Sequence, residues 1–101
     1  MEEGFEFKLL KGLLDANREL HRQGKMRLLT AKDELIVQEL SSQNPNTDLV
    51  FLLLAQAIAQ LGNLTKVTTY QLEQLFLPDF IYLQNLFTNL QPQNVTASGE
   101  S

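Results

Sequence analysis

Leu49-Val-Phe-Leu-Leu-Leu-Ala-Gln-Ala-Ile-Ala-Gln-Leu61 is apolar at every position except Gln56 and Gln60. A helix of that composition has to be covered on nearly every side. At thirteen residues the run is shorter than the ~20 a helix needs to cross a bilayer. Its cover must therefore be protein, either the remainder of a small chain or a partner. The segment predicts a central helix that Asp48 or Thr47 caps and Gly62 closes in the left-handed conformation.

Upstream, Phe5-Glu-Phe-Lys-Leu-Leu10 alternates apolar and charged residues, the period of a strand with one buried face. Leu20 to Leu29 reads as a second extended run, with Met26 and Leu28 on one side and Lys25 and Arg27 on the other. Asp15-Ala16-Asn17 supplies turn chemistry between them. Residues 5–29 thus predict a β-hairpin, with Gly24 marking a bulge or a close approach of backbones. Thr30-Ala-Lys-Asp33 and Thr68-Thr-Tyr-Gln71 both carry the capping-box spacing. They open helices over about 31–41 and 69–76. Pro78 suits the first turn of a last helix over about 78–91, which Pro92 ends. The expectation is an α+β, mostly α fold: an N-terminal β-hairpin followed by a compact bundle of four helices. Residues 1–4 form a flexible N-terminus, 5–91 one domain, and 92–101 a disordered polar tail.

The chain has 101 residues, a net charge of −4 and no cysteine. One domain is all that length supports. A negative balance argues against nucleic acid, whose phosphates need clustered Lys and Arg. Disulfides, thiol nucleophiles and zinc–thiolate sites are excluded. The N-terminus lacks the basic flank and apolar run of a signal peptide, which makes the cytoplasm the expected compartment. Charge is uneven: residues 1–48 carry seven Lys/Arg and nine Asp/Glu, whereas residues 49–101 carry only Lys66, Glu73, Asp79 and Glu100. Gln and Asn keep the second half hydrated, and such a surface is easily desolvated by a partner.

No catalytic constellation is visible. His21 is the single histidine, without a nucleophile or second ligand placed near it, so a structural or surface role is expected. Asp33 and Glu34 are adjacent on a helix and point about 100° apart, so helix-dipole compensation is their simpler reading. The glycines form no phosphate-cradling loop, and no cofactor is expected. Lys25, Arg27 and Lys32 read as a solvated basic face. Phe76, Phe80, Tyr82 and Phe87 read first as core. Yet the two apolar helices offer more surface than so few other elements can cover, which predicts a partner or self-association by helix-in-groove packing.

One assembled pattern is more specific than its parts. It runs His21-x-x-Gly24-x-Met26-Arg27-x-x-Thr30-Ala31-x-Asp33-Glu34, Asn44-Pro45, Leu52-Leu53-Leu54-Ala55, Leu61-Gly62-x-Leu64, Leu75-Phe76, Asp79-Phe80 and Leu83-Gln84. Over about residues 5–91 it resembles the small tail assembly proteins of contractile, phage-tail-like injection particles, and in turn the tail assembly chaperones of contractile-tailed phages. The resemblance implies a non-enzymatic factor that keeps the apolar helix of a tape-measure protein soluble while tube subunits polymerise around it. The alternative it implies is a structural adaptor at the tube or baseplate. Phe80, Tyr82, Phe87 and Gln56 are the expected partner-binding residues, with Arg27 as a polar contact near the hairpin. Relatives commonly place a basic residue after the Leu-Leu-Ala segment, where this chain has Gln56.

Overall fold

The computed structural model describes residues 4–91. Gly4–Leu14 (β1) and Leu20–Arg27 (β2) form the expected antiparallel hairpin. Asp15 builds its turn: Oδ1 accepts the N–H groups of Asn17 at 2.8 Å and Glu19 at 2.9 Å. Gly4, expected to belong to a flexible N-terminus, already pairs with Arg27 in β1. Residues 1–3 and the polar tail 92–101 lie outside the described residues.

Two capping boxes start helices where the sequence places them. Thr30 opens Ala31–Gln43 (α1) and Thr68 opens the short helix Thr69–Glu73 (α3). The apolar run forms Leu49–Ala57 (α2), and Leu77–Leu90 (α4) carries Pro78 in its first turn. The apolar run does not stay helical to Leu61, however. Ile58–Leu61 turns into a third strand (β3) that pairs antiparallel with β2, giving the sheet order β1-β2-β3. Gly24 makes this possible, because a Cβ there would collide with the Gln60 carbonyl and the Phe7 ring. Gly62 is left-handed as expected (φ 60°), but it ends β3 rather than a helix. Its N–H donates to the Gln23 carbonyl at 2.7 Å.

Among the described residues the architecture is α+β: a three-stranded antiparallel sheet and four helices, with 47% of those residues helical. Among the described residues no helix is long and apolar enough to cross a membrane. The core joins both layers, with Phe7, Leu9, Leu13 and Met26 from the hairpin meeting Leu54, Ala57, Leu83 and Phe87 from α2 and α4. The second helix is the hub, packing on α1, α3 and α4, while α4 lies along β1.

Where α4 meets β1, the hairpin departs from period 2. Between the pairs Lys8↔Gln23 and Leu13↔His21, residues 9–12 of β1 stand opposite Arg22 alone. The N–H groups of Leu10, Lys11 and Gly12 all turn onto the Asp79 carboxylate, at 2.6, 2.9 and 2.9 Å. Asp79 is 0% exposed. Three consecutive donors aimed at one carboxylate satisfy a buried acidic group that forms no ion pair among the described residues. Gly12, at φ 96°, supplies the left-handed residue the bulge needs.

Candidate functional site

Only Asp33 and Val37 of α1 are buried, so this helix lies lightly on α2. Its attachment is polar. Asp33 stands at the third position of the helix, where its carboxylate accepts the Thr30 backbone N–H at 2.7 Å and the Thr30 hydroxyl at 3.0 Å. Arg27, from the end of β2, donates to both carboxylate oxygens at 2.8 Å. Gln56, from α2, donates to Oδ1 at 2.8 Å. One carboxylate therefore joins strand, α1 and α2. The Arg27 guanidinium holds the Asp33 carboxyl well below the usual carboxylate range, and the Thr30 and Gln56 donors add to this against the opposing effect of burial.

Gln91 extends the brace to the end of α4. Its carbonyl accepts the Leu29 N–H at 2.8 Å, and its amide donates to the Arg27 carbonyl at 2.9 Å. Between these braced elements runs an open apolar groove. Val37 of α1, Leu49 and Leu53 of α2, Leu29 and Phe87 line it, with Glu34 and Gln38 on its polar rim. A groove of this type accommodates the apolar face of a helix.

The five partner residues expected from the sequence are not gathered in one surface. Arg27 and Gln56 meet on Asp33 and bond inward. Phe87 is 8% exposed and belongs to the core, closing the groove floor. Half-buried Phe80 stacks on Phe51 of α2, ring centroids 5.0 Å apart and 24° between planes. Tyr82 points to the sheet instead, edge-on to Phe7 at 6.5 Å, its hydroxyl accepting the Lys8 N–H at 3.3 Å. The groove residues that the sequence reading passed over are Val37, Leu49 and Leu53. Their signal was the i, i+4 spacing of Leu49 and Leu53, one turn apart on the same helix.

Asp33 and Glu34 diverge, one buried and one exposed, as adjacent helical residues must. His21 is buried and bonds Asp15 Oδ2 through Nε2 at 2.8 Å, which pins the hairpin turn. That contact and the Glu19 N–H lower the Asp15 pKa. Ligand atoms of Asp15, Glu19 and His21 lie within 4.8 Å of one another. Both Asp15 oxygens are already engaged, Oδ1 by the turn N–H groups and Oδ2 by His21, so turn architecture accounts for the cluster.

Compared with known proteins, the chain matches no family model, no curated protein and no solved structure.

Proposed function

We propose that this chain is a non-enzymatic assembly chaperone that holds an apolar helix of its client in the groove between α1, α2 and the end of α4. The observation that carries the reading is the groove itself: an apolar floor from three helices, with walls braced by part-buried hydrogen bonds. Such a site is preorganised, so a client helix does not have to offset the ordering of its receptor. The four helices, taken as one compact bundle around α2, form a receptor for anchors spaced i, i+3/i+4 and i+7. Arg27 and Gln56 act in this reading by fixing α1 against α2, and Phe87 by closing the floor. Phe80 and Tyr82 support it from behind, through α2 and β1.

The client class comes from the resemblance to tail assembly proteins: the tape-measure or tube component of a phage-tail-like contractile injection particle, handled in the cytoplasm before the particle is finished. A structural adaptor at the baseplate or tube is the second reading. It is favoured by one observation, that apolar side chains are also exposed at Leu10, Leu35 and Ile81, outside the groove.

Co-expression with candidate tape-measure, tube and baseplate proteins, followed by pull-down, tests the proposal. Leu49 lies at the groove, is exposed, and occupies the first position of α2, where an acidic residue is tolerated. Leu49→Asp is expected to abolish capture of the tape-measure or tube protein while leaving the far-UV circular dichroism unchanged. Capture that survives this substitution refutes the groove. Mass spectrometry of purified particles separates the two readings, since a chaperone is lost and an adaptor retained.

A further inference from the structure

A second apolar groove, sharing no residue with the first, opens between the hairpin turn and α3 and has a volume of about 780 Å³. Leu14 and Leu20 flank the turn, Tyr70 rises from α3, and Phe76 stands just before α4. They are 59%, 56%, 68% and 63% exposed. Together they present roughly 500 Å² of mostly apolar surface, within the range of a monomer's largest patch. The groove wall is rigid, because the Lys11 and Gly12 backbone that lines it is fixed on Asp79.

We propose that this groove is the contact between two copies of the chain, related by a twofold axis, with Phe76 of each copy entering the groove of the other. Three features select a second copy over a foreign partner. The patch holds both a concavity and a projecting aromatic ring, which is what an isologous interface requires of a single surface. Its lining carries one cation, Lys11, and one anion, Asp15, so it is neutral on a chain of net charge −4. Like-charged copies meet there without local repulsion, whereas a partner recruited by charge needs a face of one sign. Finally, two such patches contribute roughly 1,000 Å² from the four named side chains alone, and their polar rims carry the total into the range of specific interfaces.

The test is sedimentation velocity of the full chain over a wide dilution series. The unmodified chain is expected to show a reversible monomer–dimer equilibrium. Phe76 is the N-cap of α4, a position at which Asp is favourable, so Phe76→Asp should fold normally. It is expected to weaken dimerisation by roughly 30-fold or more, the loss of one hot-spot aromatic. Tyr70→Ser, on the exposed face of α3, provides an independent variant with the same direction of effect. Leu35→Asp, equally exposed but on α1, is expected to leave the dimer intact. A chain that is monomeric at every concentration overturns the proposal, as does a dimer that survives both Phe76→Asp and Tyr70→Ser. Client capture at the first groove is scored with Leu49→Asp, so failure of either site is seen without the other.

Discussion

Replacing Asp79 removes the acceptor of three neighbouring N–H groups at once. In Asp79→Ala the Gly12 N–H is left buried without a partner, while those of Leu10 and Lys11 are part-buried and water reaches them in part. A hydrogen bond to a charged group contributes about 1.5–3 kcal/mol, and a stranded buried donor costs about 1–3 kcal/mol. With one full and two partial losses, the expected destabilisation is about 3–5 kcal/mol, a large share of the 5–15 kcal/mol typical of a domain. Melting should fall by roughly 15 °C or more, given about 4–8 °C per kcal/mol at this size. Asp79→Asn keeps the shape and one acceptor oxygen. That oxygen can retain Lys11 and Gly12 while the amide NH₂ faces the Leu10 N–H, so a smaller loss of about 2 kcal/mol is expected. Urea unfolding followed by circular dichroism measures both variants, and amide exchange at residues 10–12 reports the bulge directly. If Asp79→Ala loses less than about 1 kcal/mol, or if exchange at residues 10–12 is unchanged, the carboxylate does not hold the bulge.

Other consequences are equally open to measurement. The Asp33 carboxyl is depressed by Arg27, so it binds its proton in the unfolded chain at higher pH than in the folded one. The stability it contributes is then complete above about pH 5 and is lost as pH falls through and below the ordinary carboxylate range. Asp33→Asn should flatten that part of the stability–pH curve, and an unaltered acid limb would sink the assignment. Gly24→Ala drives a methyl group into the Gln60 carbonyl and the Phe7 ring, so β3 should detach from β2 at a cost of about 1–3 kcal/mol, visible as faster amide exchange across residues 58–61. Phe87→Ala should cost the ~3–5 kcal/mol of a core ring. Leu49→Ala, at an exposed groove wall, should stay within ~0.5 kcal/mol, and similar losses for the two would contradict their different burial.

Local chemistry made much of the fold legible. The Asp15 turn, the Thr30 and Thr68 capping boxes and Pro78 each act within a few residues, so the sequence around them is sufficient. The third strand was hidden because a continuous apolar run has no period to separate helix from strand. What decides it lies 34 residues earlier, counting from Ile58 back to Gly24, whose missing side chain leaves the edge of β2 open to Gln60. The bulge was hidden for the same reason. Leu9-Leu10-Lys11-Gly12 breaks strand alternation without indicating why, and its cause is a carboxylate on the last helix.

The residues expected to bind a partner are dispersed by a related effect. Large aromatic residues on an amphipathic helix advertise apolar area, but burial follows from what packs against them, and α2 and β1 already take Phe80 and Tyr82. Arg27 and Gln56 were expected as partner contacts, yet Asp33 draws both inward from different elements. Among the described residues, part of the apolar surface left over flanks the short elements. A five-residue α3 has too few positions to turn Tyr70 inward as well as the buried Leu72, and a five-residue turn cannot fold back over Leu14 and Leu20. In a domain this small such short elements cannot cover their own apolar side chains, and the strand-and-helix periods give no sign of it, whereas Leu49 and Leu53, one turn apart on α2, were within reach of the helical spacing.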